Sequence, residues 1–169
     1  NNGAGNFSSG QSHFLPSMGV PHDVEFVDLD RDGDLDFVAV VDSYGMVGYE
    51  NDGTCSFDPK WGDVDPARFS DPEMHLAVGD VDGDGYSDIA VSFFNSSKDL
   101  RLYSDFDPAT WNFAAISDEP NSSNDTEVAM GDWNGDRDLD IATASNPAGQ
   151  VFVGASIIPI GSPFGGAFS

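Results

Sequence analysis

The chain has 169 residues, the usual size of one domain, and its 30 acidic residues against 6 basic ones give a formal net charge of −24. This charge disfavours binding to nucleic acids and to anionic lipid surfaces, because both need clustered lysine and arginine. The chain has no run of about 18 apolar residues that could insert into a membrane, and a single cysteine, Cys55, excludes a disulfide within the chain.

The acidic residues are 25 aspartates and only 5 glutamates, alongside 19 glycines and 10 prolines. Glutamate favours helices, whereas aspartate favours turns, caps and sites for hard metal ions. The hydrophobic content of 39% is enough for a packed core. The composition therefore predicts a turn-rich, all-β protein.

Taken in chain order, the predicted strands fall into a unit that occurs three times. In the first copy a short apolar segment (24–26) precedes an aspartate-rich loop (28–36), and β-type runs follow at 37–41 and 46–49. The loops begin at Asp28, Asp80 and Asp132, so the spacing is 52 residues both times. A phenylalanine lies ahead of each unit, at Phe7, Phe57 and Phe113.

Each unit thus predicts about four short strands, the composition of one propeller blade. We expect three blade-like repeats and an uncharged tail, with bounds at 1–50, 51–104, 105–156 and 157–169. Closed propellers have about four to eight blades, so three cannot close on themselves. We expect neighbouring chains or further repeats to complete them.

The aspartate loops place oxygen ligands at the first, third, fifth, seventh and ninth positions, the seventh through its carbonyl. Calcium accepts about six to eight oxygens, and water can supply the remainder. An EF-hand does not fit, because a strand follows each loop and the twelfth position is Ala39, Val91 or Thr143 rather than glutamate. Acid-rich surface turns without a metal are the alternative.

The motif Asp-x-Asp/Asn-x-Asp-Gly-x-x-Asp between two apolar strands resembles the FG-GAP/VCBS repeat, the calcium-loop blade of integrin-α-like β-propellers. The resemblance spans residues 1 to about 156 and implies up to three Ca²⁺ ions. The ligands that it implies, with Asp34, Tyr86 and Asp138 acting through their carbonyls, are Asp28, Asp30, Asp32, Asp34, Asp36, Asp80, Asp82, Asp84, Tyr86, Asp88, Asp132, Asn134, Asp136, Asp138 and Asp140.

The third loop departs from this motif at two positions. Arg137 replaces the glycine of the sixth position, where a sharp turn often demands a positive φ; an arginine held there costs about 1 kcal/mol. Asn134 also removes one charge. We therefore expect the third loop to bind calcium most weakly.

Residues 141–169 contain no charged side chain. Phe168 lies in phase with Phe7, as if a fourth unit began there. The tail either adds a strand to the next copy of the chain, or marks a point within a longer tandem array, or is a glycine- and proline-rich linker.

These features predict a non-catalytic calcium-binding protein of the cell exterior or cell surface. Its role would be structural or adhesive, and its partners copies of itself or adjacent repeats. One alternative is a segment of an integrin-like or lectin-like propeller that binds glycans or a cell-surface protein, with Trp61, Trp111 and Trp133 as stacking candidates. The favoured interpretation of these three tryptophans is packing in the core or between blades. Another is an accessory module of a hydrolase or lyase.

The remaining candidate features are weaker. Four glycosylation sequons begin at Asn6, Asn95, Asn121 and Asn124. No enzyme motif is present, and three scattered histidines, His13, His22 and His75, are expected to be polar surface or strand residues.

Overall fold

The computed structural model describes residues 19–54, 56–66, 69–94, 100–119, 125–135, 137–145 and 150–154. These ranges contain eleven strands and no helix, which confirms the all-β prediction. The strands are β1 (Pro21–Val27), β2 (Asp36–Val41), β3 (Gly45–Asn51), β4 (Phe57–Val64), β5 (Met74–Gly79), β6 (Asp88–Phe93), β7 (Leu100–Asp107), β8 (Asn112–Glu119), β9 (Asp125–Gly131), β10 (Asp140–Ser145) and β11 (Gln150–Gly154). Within the same ranges, no helix could cross a membrane.

The strands form three antiparallel sheets, each built from strands that are consecutive in the chain. The first sheet has the order β1-β2-β3-β4, the second β5-β6-β7-β8, and the third β9-β10-β11. The described strands form no closed barrel, and the sheets are arranged as open, propeller-like blades. Their first strands are neighbours: β1 contacts β5, and β5 contacts β9.

The strand pairing repeats with the 52-residue period of the sequence. Val24 lies opposite Ala39 in the first sheet, and the same position is occupied by Leu76 opposite Val91 in the second. In the third sheet the corresponding pair is Val128 and Thr143. Positions that are 52 residues apart therefore occupy equivalent places in the three sheets.

The sheets are offset from the sequence units by one strand. Phe57 lies in β4 and Phe113 in β8, and each of these strands is the last one of the preceding sheet. The first sheet therefore extends to residue 64 and the second to residue 119. Phe7, Phe168 and the uncharged tail (157–169) lie outside the described residues.

Two apolar cores hold the sheets together. One joins the facing sides of the first and second sheets, with Val38, Met46, Ile89 and Phe93 among its members. The other joins the second and third sheets, and it is built around Ala90, Leu102 and Ile141. A third cluster, around Phe37 and Tyr49, lies on the opposite side of the first sheet.

Polar contacts reinforce the junction between the first and second sheets. The Arg101 guanidinium is 2.6 Å from a carboxylate oxygen of Asp63, and the Tyr103 hydroxyl donates to the same oxygen at 2.6 Å. Burial, followed by this hydrogen bond, raises the pKa of Tyr103. The Trp61 indole N–H also crosses between the sheets and donates to Asn112 at 2.9 Å.

Candidate metal centre

Each aspartate-rich loop joins the first strand of its sheet to the second. The first loop (28–36) follows β1, the second loop (80–88) follows β5, and the third loop (132–140) follows β9. The ninth residue of each loop is also the first residue of the next strand. Each loop therefore connects two paired strands, which fix both of its ends.

The ninth aspartate of each loop is buried and closes the loop. Asp36, Asp88 and Asp140 have at most 2% of their surface exposed. Each accepts a hydrogen bond from the backbone N–H of the second loop residue. These donors are Leu29 at 2.9 Å, Val81 at 2.7 Å and Trp133 at 3.2 Å.

Burial changes the acidity of these carboxyls. It raises the pKa of Asp88 to about 8, with a further contribution from the neighbouring carboxylates. Burial also raises the pKa of Asp36, although two backbone N–H groups oppose the shift. One of these belongs to Leu29 and the other, at 2.9 Å, to Asn51 at the end of β3. Asp36 thus ties the loop to a third strand.

Three carboxylates of the first loop converge. Asp28, Asp30 and Asp32 each contribute an oxygen, and these oxygens lie within 4.8 Å of one another. The Oδ1 atom of Asp28 is buried without a hydrogen-bond partner. The group does not include Asp36, whose oxygens both accept backbone N–H groups.

The second loop brings its carboxylates together in two overlapping groups. One contains Asp80, Asp82 and Asp88, and the other contains Asp82, Asp84 and Asp105, each with oxygens within 4.8 Å. Burial, and then repulsion by Asp84, Asp105 and Asp80, raises the pKa of Asp82. Five carboxylates thus converge at the second loop, against three at the first.

Asp105 lies on β7, outside the loop, and was not predicted as a site residue. Its place in the second sheet corresponds to that of Asn51 in the first, because Tyr103 and Tyr49 hold equivalent pairing positions. The two-residue interval from tyrosine to Asn or Asp was therefore a usable sequence signal. Asn51 acts differently, since its amide donates to the Leu35 carbonyl at 3.0 Å.

The third loop uses its first carboxylate to bind its own backbone. Asp132 accepts the N–H of Gly135 at 2.6 Å and that of Arg137 at 3.0 Å. The Asn134 amide is 3.5 Å from Asp140. Asp136 lies outside the described residues. The seventh residues, Asp34, Tyr86 and Asp138, are half-buried, and their role as carbonyl ligands remains a prediction.

Comparison with known families supports the resemblance drawn from the motif. Residues 80–143, which include the second and third loops, match the FG-GAP-like repeat family. This segment is therefore similar to FG-GAP-like repeats. No curated protein gives a significant match to the chain.

Each aspartate-rich loop has a positive φ at both its fourth and its sixth position. The sixth-position prediction is confirmed, since Arg137 has a φ of 83°. The fourth position was not predicted, and in the first loop it is held by Arg31 with a φ of 65°. The second loop has glycine at both positions, Gly83 and Gly85. The first and third loops therefore each carry one strained arginine.

Arg31 also connects two loops. Its guanidinium carbon lies 4.5 Å from the centroid of the Tyr86 ring, and a Cβ atom built on Gly85 would overlap the guanidinium. Glycine is therefore favoured at position 85 for two reasons: the backbone has a positive φ, and the Arg31 guanidinium packs against it. The first loop thereby supplies a cation to the edge of the second.

The other candidate residues have mixed outcomes. Trp61 packs on Tyr103 and Phe113, and Trp111 packs on Phe106, as the packing interpretation predicted. Trp133, in contrast, is 61% exposed. His22 and His75 are half-buried strand residues. The remaining candidates lie outside the described residues, and they are His13, Cys55 and the sequons at Asn6, Asn95, Asn121 and Asn124.

Proposed function

We propose that the three loops bind calcium and that the ions stabilise the sheets. The observation that carries this proposal is the buried Asp28 oxygen that lacks a hydrogen-bond partner within a group of three carboxylates. A cation would satisfy this oxygen and offset the repulsion among its neighbours. The donors are all hard oxygens without sulfur or imidazole, which suits calcium rather than zinc or copper.

The residues of the chain divide the work between holding the loop and holding the ion. The first, third and fifth residues of a loop would coordinate calcium, joined in the second loop by Asp88 and Asp105. Calcium supplies two positive charges when bound. The ninth aspartate orients the loop through its hydrogen bond to the second residue, for example from Val81 to Asp88. The positive φ values at the fourth and sixth positions turn the backbone so that alternate side chains converge.

Calcium would add stability by linkage, because it binds the folded loops and not the unfolded chain. Extracellular modules commonly bind with Kd values of about 10⁻⁴–10⁻³ M. At millimolar calcium each site then contributes roughly 0.4–1.4 kcal/mol. Such affinities suit the cell exterior rather than the cytosol.

We assign the protein a non-catalytic, structural or adhesive role outside the cell or at its surface. FG-GAP-like repeats are generally non-enzymatic and typically extracellular. The open arrangement of the three sheets supports head-to-tail assembly with copies of the chain or with adjacent repeats.

The experiment measures calcium binding by titration calorimetry and stability by thermal unfolding. The wild-type chain should unfold at a higher temperature in millimolar calcium than in chelator, whereas magnesium should have little effect. Asp28→Asn, Asp80→Asn and Asp132→Asn together should abolish the calcium-dependent rise. Asp58→Asn, an exposed aspartate of β4, is the control and should leave the rise unchanged. The proposal would be overturned if calorimetry detected no calcium binding to the wild-type chain.

Carbohydrate binding is a second candidate, favoured by the 61% exposure of Trp133 within the third loop. Exposed indole rings stack on sugar faces. Binding to a glycan array that is lost in Trp133→Ala, with calcium binding retained, would support this role. A blank array would remove it.

A further inference from the structure

The first sheet exposes apolar side chains at positions that are buried in the other two sheets. Val24 is 51% exposed, whereas its equivalents Leu76 and Val128 are buried against the preceding sheet. Phe26 is 57% exposed, and its equivalents Val78 and Met130 pack into the two cores. The centre of this side of the first sheet is already buried in the cluster around Phe37 and Tyr49. Its edge, which we call the leading face (Val24, Phe26 and Leu35), is exposed.

The residue at the eighth position of each loop shows how neighbouring sheets contact one another. In the third loop this residue is Leu139, and it packs into a notch on the second sheet at Gly79, where a Cβ would lie 2.5 Å from the leucine methyl. The equivalent residue of the first loop, Leu35, is 57% exposed. The equivalent of the notch on the third sheet is Gly131, and nothing lies within 4 Å of a Cβ built there.

The residue at the second position of each loop shows a similar difference on the third sheet. Leu29 is buried in the core between the first and second sheets, and Val81 in the core between the second and third. Trp133 holds the equivalent position in the third loop and is 61% exposed. We call the side of the third sheet that carries Trp133, Gly131 and Ala129 the trailing face.

We propose that the leading face of one copy of this chain binds the trailing face of a second copy. The contact would repeat the part of the junction between the second and third sheets at which Leu139 meets Gly79, with Leu35 in the place of Leu139 and Gly131 in the place of Gly79. Trp133 would then be covered by the sheet that carries Val24 and Phe26. This inference rests on the proposed head-to-tail assembly and names the surfaces that carry it.

A second copy is the occupant that the internal junctions favour. Each exposed position has an equivalent inside the molecule that packs against a neighbouring sheet of the same chain, and the residues at these positions are apolar or glycine in both places. The contact is heterologous, because different surfaces meet. Two copies of three sheets would give six, which lies within the range of about four to eight blades found in closed propellers.

The test measures the mass of the 169-residue chain by light scattering in millimolar calcium. The wild type should contain two or more chains. Phe26→Gln on the leading face and Gly131→Leu, which fills the notch on the trailing face, should each give a monomer. Neither residue belongs to the proposed calcium ligands. Ile116→Gln is the matched control, because Ile116 is 48% exposed on β8 and lies on neither face.

Mixing the two monomeric variants distinguishes this contact from other forms of association. The Phe26→Gln chain keeps its trailing face and the Gly131→Leu chain keeps its leading face, so the mixture should form a two-chain species. A mixture that stays monomeric, or a wild type that is monomeric, overturns the proposal and leaves these faces to repeats of a longer chain or to another protein.

The outcome is separable from that of the calcium proposal. Calorimetry on the same samples reports calcium binding whatever the mass. A monomer that binds calcium overturns only the contact between copies, whereas an assembled chain without calcium binding overturns only the metal sites.

Discussion

The second loop and its two neighbours carry nearly the same carboxylates but differ in backbone and surroundings. The second loop has glycine at both positive-φ positions and gains a carboxylate from Asp105. The first and third loops each force an arginine, Arg31 or Arg137, into the same conformation. Affinity in such an array therefore depends on residues that are not ligands.

This difference changes the expected order of the sites. The motif alone predicts that the third loop is weakest because of Arg137. The first loop carries an equal strain at Arg31, although part of it is offset by the contact of Arg31 with Tyr86. We now expect the second loop to bind calcium most tightly, and the third least tightly.

The largest effect should come from the buried carboxylate of the second loop. Asp88→Ala leaves the Val81 N–H without its acceptor, so we expect a loss of about 1–3 kcal/mol in chelator. Asp84→Ala, at an exposed position of the same loop, should cost about 0.5 kcal/mol or less. Urea unfolding measures both. Equal losses would show that burial of the ninth aspartate adds nothing to loop stability.

Two glycine substitutions isolate the contact between the first and second loops. Gly33→Ala and Gly85→Ala both place alanine at a positive φ, which costs about 1–2 kcal/mol. Only Gly85→Ala also displaces Arg31 from Tyr86, while Gly33 faces open space. We expect Gly85→Ala to lose about 0.5–1 kcal/mol more in urea unfolding. The Arg31 contact has no energetic role if the two variants are equal.

Replacing the two strained arginines with glycine should change stability differently in the two loops. Arg137→Gly removes a positive-φ penalty and should stabilise the chain by about 1 kcal/mol, raising Tm by roughly 2–4 °C. Arg31→Gly gains the same relief but loses the stacking on Tyr86, so its net change should be near zero. Calorimetric Tm values in chelator test this. An equal rise in both would contradict the contact.

The smallest effect on stability, but a distinct effect on binding, is expected from Asp105. In a background with Asp28→Asn and Asp132→Asn, the second loop is the remaining site. Asp105→Asn should then weaken calcium binding about five- to tenfold, because one charge near the ion is lost. Unfolding in chelator should change by about 0.5 kcal/mol or less. Asp58→Asn is the control for net charge, and an unchanged Kd would place Asp105 outside the site.

The repeated spacing was sufficient to predict the strands and the loops. Apolar runs on both sides of Asp28, Asp80 and Asp132 specify two paired strands with a loop between them, and this local pattern does not depend on the rest of the fold. The extent of each sheet depends instead on which neighbour the strands at Phe57 and Phe113 pair with. That choice is made by tertiary packing, so the offset of one strand could not be derived from the repeat.

The missed site features have a similar origin. Arg31 does not suggest a positive φ, because arginine rarely adopts one, and only alignment with Gly83 and Gly135 indicates it. Asp105 reaches the second loop from a separate strand, so no local motif contains it. The alignment of Tyr49 with Tyr103 was the available signal.

The succession of strands in each sheet bears on how the chain folds. Each of the eleven described strands pairs with a neighbour in sequence, and the ninth aspartate of a loop closes it across only seven residues. Contacts of such short range cost little chain entropy to form and favour rapid folding. During synthesis, which proceeds from the N-terminus, the strands of one sheet could therefore pair before the next sheet had been synthesised.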